Sequence, residues 1–245
     1  MIADKTSYFF KDGTYLAFDT STEVGSTCVV KDMVVLESIS FSGKGRHSAD
    51  LLSKIKEIMS RQELTIDNIE GIVVGEGPGS FTGVRVAAAT AKGLCHSLEI
   101  PLWAVSSLRA GAVSMDCGER EERLSAKCIL FDARENRVYA ACYRQTSSGG
   151  IETIMGPHSN TIEKILLDCT SPTVFGGDGA LRHSHRIREA GFQVVNPPRG
   201  MPSAESLCLA IKGAEQLFRV EDISEWEPKY LRVSSAERLR GENGS

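Results

Sequence analysis

The feature that most constrains the fold is an apolar run that leads through a glycine-rich segment into an alanine-rich stretch. Residues 71–75 read GIVVG, residues 76–85 read EGPGSFTGVR, and an amphipathic pattern then continues to Leu98. Such a short continuous apolar run is typical of a buried strand. The periodicity after the loop predicts a helix over Thr82–Leu98, with Thr82 as its cap. Strand, tight loop and helix in this order predict an α/β fold.

The glycine-rich segment itself has two interpretations. Free N–H groups at the helix start, with Arg85 in the first turn, would attract a phosphate or carboxylate. Yet Val84 and Arg85 stand where a Walker A loop needs Lys followed by Ser or Thr, and Ser80 replaces the third glycine of a dinucleotide fingerprint. The simpler alternative is a tight turn whose glycines allow close packing against another part of the chain.

The remaining hydrophobic pattern predicts two α/β lobes, each of which opens with a β-meander. The predicted strands cover Tyr15–Ser21, Ser26–Lys31, Met33–Ser40, Gly71–Gly75, Pro101–Val105, Lys127–Phe131, Arg137–Tyr143, a segment from Ile151, Thr173–Phe175 and Phe192–Val195. The other predicted helices cover His47–Gln62, with Ser48 as N-cap, then Asn160–Asp168, Ala180–Ala190 and Ala204–Phe218. We therefore expect an N-terminal extension (1–13), a first lobe (14–108) on which a C-terminal helix (203–232) packs back, a second lobe (109–202) and a tail (233–245).

Charge and cysteine usage limit the classes of function. The net charge is −4 and the sequence pI is about 5.8, which disfavours a stand-alone tRNA-binding module. The seven cysteines form no CxxC pair and no zinc-like spacing, so reduced thiols in a cytoplasm are expected. No run of 18 apolar residues and no export signal is present, which predicts a cytoplasmic protein without a membrane span.

Two histidines, His183 and His185, lie close together in the sequence. They fall in a predicted helix, where residues two apart point to different faces, so a solvated basic patch with the neighbouring arginines is favoured over a metal site. The hydrolase signatures GxSxG and HExxH are absent, which gives a peptidase little support.

Six segments together carry a resemblance to a known family. They are LAFDTST (16–22), GEGPGSFTGVR (75–85), VSSLRAGA (105–112), LFDARENRVYAACY (130–143), FGGDG (175–179) and PKYLR (228–232). In this order they resemble the signature set of the bacterial TsaB (YeaZ) family, over nearly the whole chain from Tyr15. The resemblance implies the actin-like, sugar-kinase-like fold (ASKHA, ribonuclease H-like), with two lobes around a cleft.

The resemblance also implies a function. The implied function is that of a non-catalytic scaffold or dimerization subunit, which supports a TsaD-like catalytic subunit. The implied reaction transfers threonylcarbamoyl to N6 of the adenosine beside the anticodon, in tRNAs that read codons beginning with A. The implied partners are the TsaD-like subunit, a TsaE-like ATPase and a second copy of the chain, with tRNA reached only through the complex and no membrane contact. Catalytic TsaD-like proteins carry two histidines four residues apart for their metal, and this chain has no such pair.

In ATP-using members of the superfamily, two hairpin turns hold the phosphates and a glycine-rich turn receives adenosine. The equivalent residues here are Asp19, Thr20 and Ser21 in the first turn, Asp132 and Arg134 in the second, and Gly177 and Gly179 in the third. Ser21 and Arg134 stand where a phosphate-contacting turn has glycine, and an arginine there could pair with Asp19 or Asp132 in place of the ligand's charge. The cleft is therefore predicted to be vestigial.

Two alternatives remain for this cleft. Asp19 has a plain structural interpretation, an aspartate that bonds its own turn, beside magnesium coordination. We expect no cofactor in the isolated chain and no catalytic or metal-binding residue, with ATP and Mg²⁺ as ligands of the assembled complex. The alternative function is an ATP-dependent transferase or kinase.

The helix Thr82–Leu98 has small side chains on more than one face, which suits burial on both sides. By itself this pattern fits a core helix as well as a partner interface. The resemblance implies that this helix and His47–Gln62 form a helical bundle with the partner. The predicted interface residues are Leu51, Ile55, Thr82, Arg85, Ala88 and Ala91.

Overall fold

Two five-stranded mixed sheets form the framework of the molecule. The computed structural model describes residues 13–32, 34–42, 47–115, 125–146, 150–212 and 214–231, so the predicted tail and nearly all of the N-terminal extension lie outside it. The first sheet has the order β3-β2-β1-β4-β5, in which β1 pairs antiparallel with β2 and parallel with β4. Its strands are β1 (Thr14–Asp19), β2 (Val24–Lys31), β3 (Val34–Ser42), β4 (Gly71–Gly75) and β5 (Leu102–Val105).

The second sheet repeats this connectivity. Its order is β10-β9-β6-β7-β8, with β6 in the central place that β1 holds in the first sheet. The strands are β6 (Ala126–Asp132), β7 (Arg137–Gln145), β8 (Ile151–Thr161), β9 (Thr173–Gly176) and β10 (Gln193–Val194). This arrangement confirms the predicted α/β class and the actin-like, sugar-kinase-like fold.

Eight α-helices connect or follow the strands of the described segments. They are α1 (His47–Arg61), α2 (Phe81–Leu98), α3 (Ser107–Val113), α4 (Ile162–Asp168), α5 (Asp178–Arg182), α6 (Ser184–Glu189), α7 (Ala204–Ile211) and α8 (Glu215–Phe218), with a 3₁₀ turn at Ile66–Asn68. None of the described helices combines the length and the apolar character that a membrane crossing requires.

Several predicted helix boundaries are wrong. Helix α2 is capped by Ser80, whose Oγ accepts the Gly83 N–H at 3.3 Å, and not by Thr82. Helix α1 begins at His47, so Ser48 is inside the helix rather than its cap. The helix predicted from Ala204 to Phe218 is divided because Lys212 leaves helical geometry (φ −54°, ψ 122°).

The helix predicted over Ala180–Ala190 is also divided, into α5 and α6. His183 lies between the two helices and is 8% exposed, whereas His185 is exposed on α6 and lies 3.1 Å from Glu189. Arg182 and Arg186 form ion pairs with acidic residues of other elements. The predicted solvated basic patch is therefore largely charge-paired.

Each sheet is covered on both faces. In the first sheet one face packs against α1 and α2, and the other packs against α7 and part of α3. In the second sheet α4, α5 and α6 cover one face, while α3 contributes Leu108 and Ala112 to the other. Helix α3, which the sequence analysis did not predict, thus takes part in the apolar cores of both sheets.

Candidate functional site

Asp19 ends strand β1 and is 1% exposed. Its Oδ1 accepts hydrogen bonds from the Ser21 amide at 2.7 Å and the Ser21 hydroxyl at 2.6 Å. Its Oδ2 accepts the hydroxyl of Ser107, the first residue of α3, at 2.6 Å. Both carboxylate oxygens therefore have donors from the chain itself, in the turn-bonding arrangement that the sequence offered as the alternative to magnesium coordination.

The glycine-rich loop packs against the turn that follows Asp19. A Cβ atom on Gly79 would lie 2.2 Å from the Ser21 carbonyl oxygen, and one on Gly83 would lie 1.8 Å from the Thr20 carbonyl oxygen. Hydrogen bonds join the same segments, from the Ser80 amide to the Ser21 carbonyl at 2.7 Å and from the Thr20 hydroxyl to the Gly83 carbonyl at 2.6 Å. The loop glycines thus permit contact between two backbones of this protein, as the close-packing interpretation requires.

Asp132 occupies in the second sheet the place that Asp19 has in the first. It ends β6, and its Oδ1 accepts the Arg134 amide at 3.0 Å, which repeats the bond from an aspartate to the residue two positions on. Its Oδ2 accepts the Arg182 guanidinium at 2.5 Å. The arginine that pairs with Asp132 is therefore Arg182, from α5, which corrects the assignment of that role to Arg134.

The glycine turn before α5 also packs against its own sheet. Gly177 has φ +98°, and a Cβ on it would lie 2.2 Å from the Leu130 carbonyl oxygen in β6. A Cβ on Gly179 would lie 2.9 Å from the Phe131 carbonyl carbon. Between these glycines, Oδ1 of Asp178 accepts hydrogen bonds from the Gly179 amide at 2.9 Å and the Asp132 amide at 3.3 Å. Burial raises the pKa of the Asp178 carboxyl group.

A C-terminal strap, residues 219–230, crosses the first lobe beside α2. Lys229 pairs with Glu76 at 2.7 Å, and the Glu76 side chain is almost completely buried. The Arg85 guanidinium lies 3.8 Å from the centre of the Phe81 ring and 3.3 Å, through Nε, from the Tyr230 hydroxyl. Arg85 thus contacts two aromatic rings, one on its own helix and one in the C-terminal strap.

The six predicted interface residues divide into two groups. Leu51, Ile55, Ala88 and Ala91 are 0–6% exposed, and three of them belong to the core between α1, α2 and the first sheet. Thr82 and Arg85 are exposed. The prediction that the four apolar side chains face a partner is therefore corrected, because the chain buries them itself.

The exposed surface of the two helices is formed by other residues. On α2 these include Ala89 and Gly93, which are four residues apart on one side, and a Cβ added to Gly93 would have no atom within 4 Å. On α1 the side chain of Leu52 is 50% exposed. We call Leu52, Ala89 and Gly93 with exposed Thr82 and Arg85 the α1/α2 face.

Comparison with known proteins identifies the family. The family model described as "TsaD: tRNA N6-adenosine threonylcarbamoyltransferase" matches residues 35–197. The Bacillus subtilis protein named "tRNA threonylcarbamoyladenosine biosynthesis protein TsaB" is 31% identical over 236 residues, which cover 91% of this chain and 96% of that protein. The chain belongs to the TsaB family.

Further TsaB relatives agree with this assignment. The Escherichia coli TsaB is 27% identical over 90% of this chain and 95% of its own length. Among solved structures, YeaZ from Pseudomonas aeruginosa superimposes with a TM-score of 0.75 at 25% identity, covering 89% of this chain and all of that chain.

Some residues of this site were missed by sequence reasoning. Ser107 donates a hydrogen bond to Asp19, although 88 positions separate the two residues. The only indication of Ser107 in the sequence was its place in the VSSLRAGA segment. Glu76 and Lys229 lie in the glycine-rich and PKYLR segments, but nothing in the sequence connects the two. The structure brings together Asp19, Thr20 and Ser21 around the glycine loop, and Asp132 with the Gly177–Gly179 turn.

Proposed function

We propose that this chain is a non-catalytic accessory subunit of tRNA threonylcarbamoyladenosine biosynthesis, and that it binds and supports a TsaD-like catalytic subunit. Its family membership supports a role in this pathway, since curated relatives carry that pathway in their names. The match to the TsaD family model over 35–197 supports a common ancestry with the proposed partner. We place the activity in the cytoplasm, with tRNA bound through the complex.

The observation that carries the non-catalytic role is the bonding of Asp19. Its Oδ1 accepts two hydrogen bonds from Ser21, and its Oδ2 accepts one from Ser107, all inside the protein. A magnesium ion at Asp19 would compete with these bonds, and each buried donor left without its acceptor would cost about 1–3 kcal/mol. A turn whose aspartate already has hydrogen-bond donors from its own chain favours a supporting role over ATP chemistry.

The α1/α2 face is the proposed contact surface for the TsaD-like subunit, and it also offers a route to a homodimer. Ala89 and Gly93 carry almost no side chain, so a partner helix can approach α2 closely. Leu52 on the neighbouring helix supplies an exposed apolar side chain of the kind that becomes buried in an interface. Exposed small residues on α2 and an exposed apolar side chain on α1 favour a helix-to-helix contact.

Pairing can be tested with a matched pair of variants. Leu52→Arg places a charge in the α1/α2 face, and desolvating that charge should weaken binding to the catalytic subunit at least tenfold in sedimentation velocity experiments. Leu167→Arg makes the same chemical change on α4 of the second lobe, where Leu167 is 80% exposed, and should leave binding unchanged. Equal binding by Leu52→Arg and the wild type would exclude this face as the interface.

The supporting role itself needs a reconstituted reaction. Threonylcarbamoyladenosine formation on tRNA is measured with the TsaD-like subunit, a TsaE-like ATPase and the carbamoyl-adenylate synthase, with and without this chain. Modification should depend on the chain and should survive Asp19→Ala in folded protein. Loss of modification with Asp19→Ala would show a working cleft, and modification that does not depend on the chain would contradict the proposal.

Nucleotide binding separates this proposal from the alternative of an ATP-dependent transferase or kinase. Calorimetry of the isolated chain with ATP and Mg²⁺ should show no binding at micromolar affinity, with any nucleotide taken up only by the assembled complex. Micromolar binding by the isolated chain that disappears in Asp19→Ala would favour the transferase or kinase instead.

A further inference from the structure

Three thiols meet in the second lobe, although their spacing in the sequence shows no metal-binding pattern. The Cys169 Sγ lies 3.8 Å from the Cys142 Sγ and 3.9 Å from the Cys128 Sγ. All three sulfur atoms lie within 4.8 Å of one another. In the part of the chain that the structure describes, this is the one such group of three His, Cys, Asp or Glu ligands.

The fold, rather than local sequence, brings the thiols together. Cys128 in β6 is the direct cross-strand partner of Cys142 in β7, so both side chains lie on the same face of the sheet. Cys169 follows α4, whose residues Ile162 and Ile165 pack on that face. This packing positions the end of the helix so that Cys169 contacts the other two cysteines.

Two of the three distances between the sulfur atoms match those in a thiolate metal site. For metal–sulfur bonds of about 2.3 Å, two sulfurs of a tetrahedral site are about 3.8 Å apart and two sulfurs of a trigonal site are about 4.0 Å apart. The two distances from Cys169 fall in this range.

Burial suits the same use. Cys128 and Cys142 are buried, while Cys169 is half-buried and leaves an approach from solvent. A metal ion would bind the three groups as thiolates and would displace their protons.

We propose that Cys128, Cys142 and Cys169 form a binding site for one thiophilic d¹⁰ cation, Zn²⁺ or Cu⁺, with a further coordination position on the solvent side of Cys169. Such a cation would link β6, β7 and the end of α4. The bound cation would stabilise the second lobe. This proposal does not depend on the proposed role in tRNA modification.

The test uses the full chain, reduced with a phosphine and carrying Cys117→Ser, because residue 117 lies outside the described residues and could bind metal by itself. Cd²⁺ is the optical probe, since its thiolate complexes absorb in the near ultraviolet. We expect one Cd²⁺ per chain, release of about three protons, and displacement by Zn²⁺ or Cu⁺ in competition with a chromophoric chelator.

Cysteine variants assign the site. Cys169→Ser should weaken Cd²⁺ binding at least tenfold and remove about a third of the thiolate absorption. Cys95→Ser is the matched control, because Cys95 is a thiol of the first lobe whose Sγ lies 3.7 Å from the Pro101 carbonyl oxygen, and it should change neither quantity.

The proposal is overturned if Cd²⁺, Zn²⁺ and Cu⁺ all fail to bind, or if binding persists unchanged in both Cys169→Ser and Cys142→Ser. Circular dichroism verifies that the variants are folded. If Cys169→Ser does not fold, alkylation of Cys169 in the folded parent protein provides the same comparison. Blocking this thiol should abolish the cadmium absorption band, and an unchanged band would refute the site.

Discussion

Two glycines of helix α2 provide a direct test of why the loop before it is rich in glycine. Replacing a glycine by alanine inside a helix normally stabilises it by about 1 kcal/mol. At Gly83, however, the new Cβ would lie 1.8 Å from the Thr20 carbonyl oxygen, which is backbone and cannot rotate away. Overpacking of this kind costs about 1–3 kcal/mol, and we place Gly83→Ala at the upper end, for a net loss of about 2 kcal/mol.

Gly93 is the matched control in the same helix. It is exposed, and an added Cβ would meet no atom within 4 Å, so Gly93→Ala should gain the full helix propensity of about 1 kcal/mol. The same substitution, ten positions apart on one helix, should therefore change the free energy of unfolding in opposite directions, with a difference of about 3 kcal/mol between the two variants.

Urea denaturation followed by circular dichroism measures both changes on the isolated chain. For a protein of this size each kcal/mol moves the melting temperature by about 2–4 °C, so thermal scans should separate the variants clearly. If Gly83→Ala is as stable as Gly93→Ala, the loop is not held by backbone contact with Thr20. The glycines would then have to be explained by a ligand.

Further predictions concern buried charge. Asp19→Ala should lower the free energy of unfolding by about 2 kcal/mol in urea titrations, because its two serine partners lose their acceptor; no change would show that these bonds contribute nothing. Burial lowers the pKa of Lys127 to about 8 from 10.5, so the unfolded chain holds that proton more tightly. The free energy of unfolding should therefore rise between these pH values, by up to about 1.4 kcal/mol per pH unit. Urea denaturation at several pH values measures this rise, and it should be absent in Lys127→Met. Lys229→Ala should destabilise by about 1 kcal/mol in the same assay because Glu76 is buried, whereas Lys164→Ala, which breaks an exposed pair on α4, should cost close to nothing.

The sequence predicted the elements whose pattern is local. The strand Gly71–Gly75 has the predicted bounds, because a short apolar run between polar segments is typical of a buried strand. Helix α3 was missed since its seven residues, SLRAGAV, are too short and too small to show a period, and contacts with both sheets hold it in place. The division of the predicted helix at Lys212 was missed because its apolar period continues past the break.

The same distinction applies to the site. From the resemblance to the TsaB family, Asp19 and Asp132 were predicted as the centres of two related turns. Their partners were not, because Ser107 and Arg182 come from distant segments that only the sheet order brings near. Buried and exposed positions of α1 and α2 were also confused, since small residues such as Ala88 and Ala89 differ in position on the helix but not in chemistry.

The packing of α7 has a consequence for how the chain folds during synthesis. Leu207, Cys208 and Ile211 of this helix cover the face of the first sheet that contains Ala17 and Val73. This helix is synthesised almost 200 residues after β1. Until then, the apolar face of the first strands is exposed to water. The lobe that begins first is completed last, and a fragment ending near residue 108 should aggregate rather than fold.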